Sequence, residues 1–283
     1  MRNWDVWPGT PITRIQFIQH PWLHPNFCDP LRSCSSNGNW QRLTCEFSMP
    51  TSPRLTAHTL LIDIDETITH TRDAVFPGRV LDRLVSESHG IDVAAARDHI
   101  RSVCDPEAED VEPHLAALGV MSEEYDRALI DAAHQCVEPY ADAVTMIRQC
   151  HRQGLSLYPA TTNGRCVCLA KLAVAGLADA SGSRYFVELF GGEQVAPSGK
   201  SGPAFFDALL QRIDAHPEDV VMVGDNPQAD LAFAREAGIQ QVVLPRREQS
   251  DVWVMEPDGG LYVQSLAIVP QLLGPPPMSS GIS

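Results

Sequence analysis

Short hydrophobic runs that each end in polar residues alternate with amphipathic helical segments through most of this chain. The run HTLLIDID occupies residues 58–65, and similar runs follow at 155–164, 220–226 and 239–245. Helical patterns such as PAFFDALLQRI and PQADLAFAREAG stand between the later runs. Strands that alternate with helices form a parallel sheet covered by helices on both faces. The sequence therefore predicts an α/β fold built on a doubly wound parallel sheet.

Two further segments extend this pattern. YFVELFGG at 185–192 is another candidate strand, and GGLYVQSLAIVPQLLG at 259–274 predicts a last strand followed by a helix. Pro159 lies inside the second run, and a residue without an N–H is awkward in a central strand.

The alternation stops between residues 77 and 137, where helical patterns follow one another without a strand. GRVLDRLVSESHG ends at a glycine, DVAAARDHIRSVC comes next, and SEEYDRALIDAAHQC begins with Ser122 as the expected N-cap. A fourth helix, PYADAVTMIRQCHRQ, has Pro139 in its first turn and Gly154 just past its end. We assign that helix to the sheet domain and the preceding ones to an α-helical cap inserted after the first strand.

The N-terminal part differs from the rest. It holds four of the five tryptophans and many prolines, and it shows neither a period of 2 nor one of 3.6. Either it is an extension that lies on the domain, or translation begins near Met49; the change in composition favours the second alternative. The sequence predicts four parts: an irregular extension (1–54), a core in two pieces (55–76 and 138–274), a helical cap (77–137) and a tail (275–283).

Composition excludes several classes of partner. With 21 basic and 36 acidic residues the formal charge is −15, which argues against nucleic-acid binding because that needs a basic surface. No apolar stretch approaches the length of a membrane span, and the first residues lack a signal-peptide run, so we expect a cytoplasmic protein without a membrane partner. The eight cysteines show no zinc-site spacing. Cys166 and Cys168 are expected to be buried thiols rather than a metal pair. No feature indicates an oligomeric state.

An acidic pair follows the first predicted strand. Asp63 and Asp65 are two residues apart, so along a strand they point to the same side. In open α/β sheets ligands bind at the carboxyl ends of the strands. Two carboxylates buried side by side need a cation or a proton to compensate them. The alternative is two solvated turn residues, which are common in loops.

Three more polar groups follow later in the chain, each with a plain structural alternative. Thr162-Asn163-Gly164 at a strand-to-helix junction can hold an anion, or can simply cap the helix. Lys200 stands just before a helix, where an ordinary solvated lysine is the alternative. The segment from Gly224 to Asp230, GDNPQAD, supplies acidic oxygens after a second strand, although Asp230 would also suit the first turn of a helix.

The order of these groups resembles the four-motif pattern of the haloacid dehalogenase-like superfamily over about residues 58–272, and especially its phosphatase branches. The resemblance implies that Asp63 is the nucleophile that forms an aspartyl phosphate and that Asp65 is the general acid/base. It implies that Thr162, the Asn163 backbone and Lys200 hold the phosphate, and that Lys200 also steadies the nucleophile. The magnesium site that it implies comprises the Asp63 carboxylate, the Asp65 backbone carbonyl, Asp225 and, in support, Asp230.

The chemistry of these residue types agrees. Mg²⁺ prefers oxygen ligands and keeps several waters, so few protein oxygens suffice. Two departures from the pattern are visible: Ser201 stands where a proline usually follows the lysine, and the pair Thr161-Thr162 leaves two registers, of which Thr162 is preferred because Asn163 follows it directly.

The predicted function is Mg²⁺-dependent hydrolysis of a small phosphomonoester. The alternatives are a phosphotransferase or mutase on the same scaffold and a non-catalytic binding protein of the superfamily; Asp65 argues against a dehalogenase. We expect the cap to close over the crevice, which favours a small phosphorylated metabolite as partner. A rigid interaction surface is the alternative. The segment from Thr69 to Arg72 is expected to reach the substrate or to act as a hinge.

Overall fold

A computed structural model of the chain describes residues 53–105 and 110–274. A six-stranded sheet forms the centre of this part, in the order β4-β1-β5-β6-β8-β7, with β7 antiparallel at one edge and the other strands parallel. The strands are Thr59–Ile62 (β1), Thr69–Thr71 (β2), Val137–Pro139 (β3), Ser156–Pro159 (β4), Val220–Val223 (β5), Gln241–Pro245 (β6), Trp253–Met255 (β7) and Leu261–Val263 (β8).

Helices lie on both faces of this sheet. Alternate residues of β1 enter two different hydrophobic clusters, Leu60 and Ile62 on one face and Leu61 on the other, because successive side chains of a strand point to opposite sides. The predicted α/β class with a doubly wound, mostly parallel sheet is confirmed. The helices are Phe76–His89 (α1), Val93–Val103 (α2), Ser122–Cys136 (α3), Ala141–Arg152 (α4), Arg165–Val174 (α5), Gly192–Val195 (α6), Pro203–Arg212 (α7), Phe233–Glu236 (α8) and Val269–Leu272 (α9).

Strand β4 lies at the other edge of the sheet, which explains Pro159. This residue pairs with Ile62 at the end of β4, so its missing N–H interrupts no ladder between two strands. The strand predicted at 185–192 does not form. Phe186 and Phe190 are buried in clusters on opposite faces of the sheet, so the segment wraps around the edge. It bonds to β4 through Val187 N and Leu157 O (3.0 Å) without forming a ladder.

Helices α1, α2 and α3 lie between β2 and β3 in the chain, and these two short strands pair antiparallel with each other. The three inserted helices share a hydrophobic cluster of their own, to which Cys166 and Ala170 of α5 contribute. Two expected boundaries are wrong by one or two residues. Ser122 is the first residue of α3 rather than its N-cap, and Pro139 ends β3 instead of lying in the first turn of α4.

Some predictions fall beyond the described part of the chain. The proposed extension at 1–54, apart from its last two residues, and the alternative start at Met49 lie outside the described residues, as does the tail at 275–283. Within the described ranges, no helix has the length and apolar character that crossing a membrane requires.

Candidate active site

The predicted polar groups lie at the carboxyl ends of three neighbouring strands. Asp63 and Asp65 follow β1, Thr161 and Asn163 follow β4, and Asp225 follows β5. Since β1 pairs in parallel with both β4 and β5, these ends meet at one edge of the sheet. The backbone N–H of Asp63 donates to the carbonyl of Val223 (2.9 Å) and joins the first segment to the end of β5.

Lys200 is the centre of a buried cluster. Its Nζ donates to Asp63 Oδ1 (2.6 Å), to Asp230 Oδ1 (2.6 Å) and to the carbonyl of Ala160 (2.8 Å). Lys200, Asp63 and Asp230 are 6%, 7% and 0% exposed, so the lysine is no solvated surface residue. All three ammonium protons have acceptors, which is what a buried ammonium requires.

The charges in this cluster do not balance. Burial raises the pKa of Asp63 from an ordinary value of 3.8 to about 7; the charge of Lys200 opposes that change and the charge of Asp230 adds to it. Burial also disfavours the charged lysine, but the two carboxylates outweigh it and raise the pKa of Lys200. The single ammonium of Lys200 therefore lies beside more carboxylate charge than it can neutralise.

Three carboxylates form a group suited to a cation. Oxygen atoms of Asp63, Asp225 and Asp230 lie within 4.8 Å of one another. The Thr67 hydroxyl lies 3.5 Å from Asp63 Oδ2 and 3.4 Å from Asp225 Oδ1, so these two oxygens face a common point. Burial, and next the charge of Asp230, raise the pKa of Asp225. Oxygen donors with uncompensated negative charge fit a hard divalent ion such as Mg²⁺.

The loop after β5 fixes the position of Asp230. Its Oδ2 accepts a hydrogen bond from the Asn226 backbone N–H (2.9 Å), and its Oδ1 accepts from Lys200. A side chain at Gly224 would collide with the Asp230 carboxylate, so this position requires glycine. Because both oxygens of Asp230 are engaged, this residue fits a supporting position better than a direct metal ligand.

Asp65 occupies a separate network, apart from the three grouped carboxylates. Its Oδ1 accepts from Lys171 Nζ (2.6 Å) and from the Thr71 hydroxyl (3.2 Å), and its Oδ2 accepts from Asn163 Nδ2 (2.7 Å). Burial alone would raise the pKa of Asp65, but Lys171 and the two neutral donors outweigh it and hold the pKa below its ordinary value. The predicted metal contact of Asp65 would thus have to come from its backbone carbonyl, as the resemblance implies.

Sequence reasoning missed Lys171. It lies in α5, whose sequence RCVCLAKLAV is otherwise apolar after its first residue, and it is 4% exposed. The available signal was a single lysine on a helix whose neighbours are cysteine, leucine and alanine, since a lysine is rarely buried without a partner. Cys166 and Cys168 of the same helix are buried free thiols, as expected.

The two threonines after β4 differ in exposure. Thr161 is 2% exposed, and its hydroxyl accepts from Asn163 N (3.2 Å) and Asn163 Nδ2 (2.7 Å). The side chain of Thr162 is exposed. The turn that follows β4 directs the first threonine inward, and the preference for Thr162 as the phosphate-binding threonine stays a prediction. Gly191 and Gly192 pack against this turn, where a Cβ at either position would lie 2.6 Å from a backbone atom of residues 161–165.

A second residue that sequence reasoning missed secures the loop after Asp65. Arg247 donates to the carbonyls of Glu66 (3.1 Å) and Thr67 (3.0 Å), and its guanidinium lies over the ring of Tyr140, 3.7 Å from the centroid. Glu66 has a φ of 53°, a left-handed conformation that is uncommon for a residue with a side chain. Arg247 therefore helps to hold a sharp turn between the two motif aspartates and β2.

The segment from Thr69 to Arg72 is mostly committed to local contacts. His70 Nδ1 lies 2.8 Å from Glu66 Oε1, and Arg72 Nε lies 3.4 Å from Glu138 Oε1; all four side chains are largely exposed. These contacts favour the hinge alternative over a direct role at the substrate for His70 and Arg72. Two members of this segment contact Asp65: Thr71 through its hydroxyl, and Thr69 through a backbone bridge.

The sequence profile of the haloacid dehalogenase-like hydrolase family matches residues 57–238. This stretch is more than half of the 283 residues, and it contains the four site aspartates and both buried lysines. The chain belongs to the haloacid dehalogenase-like hydrolases. The family resemblance that the motif order indicated is confirmed.

Two curated relatives of this haloacid dehalogenase-like chain are phosphatases. It is 35% identical over 107 residues to a phosphoserine phosphatase from Thermus thermophilus, covering 38% of this chain and 41% of the relative. It is 30% identical over 110 residues to a ribulose-1,5-bisphosphate 5-phosphatase from Halopiger xanaduensis, covering 39% and 44%. The chain thus matches less than half the length of these relatives.

A solved structure supports the fold. The 2-haloacid dehalogenase from Pseudomonas syringae pv. tomato DC3000 has a TM-score of 0.50 at 19% identity, with 77% of this chain and 98% of that chain covered. At this identity the likeness concerns the fold alone.

Proposed function

We propose that the protein is a Mg²⁺-dependent phosphohydrolase that cleaves small phosphomonoesters through an aspartyl phosphate on Asp63. One observation carries this proposal. Asp63 and Asp65 stand two residues apart at one strand end, yet they occupy different networks, one around Lys200 and one around Lys171. Two carboxylates with different surroundings suit two different tasks, a nucleophile and a proton carrier.

Asp63 is the proposed nucleophile. Lys200 holds its Oδ1, whereas its Oδ2 makes only the long contact with Thr67. Attack by a carboxylate oxygen forms a bond to phosphorus as the bond between phosphorus and the leaving oxygen breaks. The resulting acyl phosphate is then hydrolysed by water, so one difficult step is split into two. The Lys200 ammonium also neutralises charge on the transferring group.

Asp65 is the proposed general acid/base. It gives a proton to the leaving oxygen in the first half-reaction and removes a proton from the attacking water in the second. Its contact with Lys171 favours the ionised form, which serves the second half-reaction. Binding of an anionic phosphate nearby raises the pKa of a carboxyl group, and so favours the protonated form that the first half-reaction needs.

The carboxylates of Asp63 and Asp225, together with the backbone carbonyl of Asp65, would hold Mg²⁺, and Asp230 would support them. The bound ion supplies charge neutralisation for the phosphoryl group. Thr161 and Asn163, after the end of β4, would bind phosphate oxygens together with Lys200, which donates to Asp63. Thr161 replaces Thr162 in this assignment because its hydroxyl is the buried one.

The proposed substrate is a small phosphorylated metabolite. The names of the two curated relatives, a phosphoserine and a ribulose-bisphosphate phosphatase, support this class. We further propose that the inserted helices α1 to α3 form a cap that closes over the site and excludes water. A cytoplasmic location agrees with the cysteines of the described residues, all of them free thiols.

Phosphate release tests the proposal. The purified protein is assayed against nucleotides, sugar phosphates, phosphoglycolate, amino-acid phosphates and p-nitrophenyl phosphate, with Mg²⁺ and with excess chelator. We expect release that requires Mg²⁺ and that falls by more than about 10⁴-fold in Asp63→Asn, because an amide cannot form the phosphoryl ester. The melting temperature of the variant serves as the control for folding.

Two outcomes would contradict this function. Full activity in excess chelator excludes the metal, and wild-type turnover by Asp63→Asn excludes the nucleophile. Transfer of phosphate to an added sugar without release of inorganic phosphate would favour the phosphotransferase alternative.

A further inference from the structure

Lys171 is a buried lysine outside the four sequence motifs. It lies on α5 with Cys168 and Leu172 on either side, both of them buried in the core. An ammonium group at this depth is costly unless charged and polar partners surround it. Its partners are therefore the main clue to its purpose.

The partners of Lys171 form a closed ring of three side chains. Its Nζ donates to Asp65 Oδ1 (2.6 Å) and to Asn163 Oδ1 (3.2 Å), and Asn163 Nδ2 donates to Asp65 Oδ2 (2.7 Å). Each oxygen of Asp65 thus has a separate donor, and the two donors are bonded to each other. A carboxylate held at both oxygens by linked groups keeps one plane and one rotamer.

The ring is anchored at two places in the core. Lys171 belongs to a helix, and Asn163 Nδ2 also donates to the buried Thr161 hydroxyl (2.7 Å) at the end of β4. The loop that carries Asp65 is itself a turn with a left-handed residue, Glu66. Asp65 on its own would be free to rotate, since its side chain is 42% exposed. The ring fixes the Asp65 side chain, which the hydrogen bonds of the loop backbone do not hold.

We propose that Lys171 is a positioning residue that, together with Asn163, fixes the Asp65 carboxyl group for proton transfer to the leaving oxygen. This inference rests on the proposed function and deepens it. As Asp63 bonds to phosphorus and the ester bond breaks, the proton moves from the Asp65 carboxyl to the leaving oxygen. Lys171 keeps its own protons throughout and acts only through Asp65.

The consequence is a dependence on the leaving group. An alkoxide leaves poorly without a proton, whereas p-nitrophenolate leaves without one. Misplacing Asp65 should therefore slow the transfer of phosphate to Asp63 far more for alkyl phosphates than for p-nitrophenyl phosphate. Hydrolysis of the aspartyl phosphate is common to both substrates. A defect in folding, in metal binding or in phosphate binding would slow both substrates alike.

Lys171→Met tests this inference, with kcat and KM measured for p-nitrophenyl phosphate and for the best alkyl phosphate of the wild-type protein. We expect kcat/KM for the alkyl ester, which reports formation of the aspartyl phosphate, to fall by about 10²-fold, the lower end of the general-acid contribution. The loss of kcat/KM for the aryl ester should stay below about tenfold. Lys200→Met is the matched control, and it should lower kcat/KM for both esters by similar factors because Lys200 faces the nucleophile.

A double variant keeps the test decisive if Lys171→Met alone fails to fold. Lys171→Met/Asp65→Asn removes both charges of the pair, and it should match Asp65→Asn alone on both esters because the lysine then has nothing left to position. Equal losses of kcat/KM on the two esters in Lys171→Met, or a double variant slower than Asp65→Asn, would overturn the inference. A wild-type protein that cleaves neither ester overturns the proposed function and this inference together.

Discussion

Two lysine–aspartate pairs with equal N–O distances lie side by side in this molecule. The pKa values of their two aspartates are shifted in opposite directions from that of an ordinary carboxyl group. Lys200 and Lys171 each lie 2.6 Å from an oxygen of Asp63 and Asp65, respectively. Yet the pKa of Asp63 is raised to about 7, and that of Asp65 is lowered. The length of a salt bridge does not decide how its carboxyl group titrates.

The surroundings make the difference. Around Lys200, Asp63 competes with Asp230 for one ammonium, and Asp225 stands close by. Around Lys171, Asp65 is the single acid among the described residues that contacts the ammonium, and Asn163 adds a neutral donor to Asp65. The first cluster therefore has a deficit of positive charge, as a cation site should. The second is balanced and acts as a rigid support.

The largest difference between the two clusters is expected when each lysine is replaced. Lys200→Met should lower kcat by about 10²–10³-fold, the loss typical of one preorganised electrostatic contact. The same variant leaves buried carboxylates unpaired, so its free energy of unfolding in the absence of metal should fall by about 3–5 kcal/mol. Denaturant titration of the two lysine variants measures the effect on stability.

Lys171→Met serves as the matched comparison for stability. Its partner Asp65 has a side chain that is 42% exposed, so water can take over part of the lost interaction. We expect a smaller fall in unfolding free energy than for Lys200→Met. A reversed order of the two variants would contradict the contrast between a deeply buried cluster and a partly exposed one.

The pH dependence of stability should have opposite slopes at the two aspartates. Since the pKa of Asp63 is raised, the folded state binds its proton more tightly, and the contribution of Asp63 to stability falls as the pH rises through its folded pKa of about 7. In chelator, the free energy of unfolding of Asp63→Asn should therefore rise relative to that of the wild type by about 1–3 kcal/mol between about pH 5 and pH 7.

The pKa of Asp65 is lowered, so its contribution is present above the unfolded value of 3.8 and is lost as the pH falls through the folded pKa. The deficit of Asp65→Asn relative to the wild type should thus be largest near neutral pH and shrink in acid. Urea unfolding of both variants across this range gives the slopes. Parallel slopes for the two variants would remove the distinction between the clusters.

The smallest expected effect concerns the two threonines after β4. Thr161→Val removes the buried hydroxyl that Asn163 contacts, and it should lower kcat/KM by about tenfold, the value of roughly one hydrogen bond. Thr162→Val is the matched control at an exposed side chain and should stay within about twofold of the wild type. A larger loss in Thr162→Val would restore the register that adjacency to Asn163 suggested.

The sequence predicted one cluster and not the other, for a physical reason. Asp63, Lys200, Asp225 and Asp230 belong to motifs that follow strands in a set order, so parallel pairing alone brings most of them together. Lys171 belongs to a helix whose pattern is simply apolar, and its meaning depends on which loop that helix faces. A lysine among apolar residues signals burial with some partner, but the identity of that distant partner has no local signature.

The same contrast holds for the fold. The strands β1, β4, β5 and β6 were predicted because hydrophobic runs end in polar residues, and β8 because an apolar run follows a glycine pair. The sequence did not predict the two-stranded ribbon of β2 and β3, because three-residue strands have too few positions to show alternation. The segment at 185–192 misled the prediction because an apolar run can bury its side chains on two faces without forming a strand.

The division of labour between Asp63 and Asp65 can be tested directly by acid quench of Asp65→Asn during turnover of radiolabelled p-nitrophenyl phosphate. This substrate needs no proton for its first step, while the loss of the base slows hydrolysis of the intermediate. The account predicts close to one base-labile phosphate per protein, located in the tryptic peptide of residues 55–72, in which this variant keeps Asp63 as its only aspartate. Absence of bound phosphate, or label in any other peptide, would contradict it.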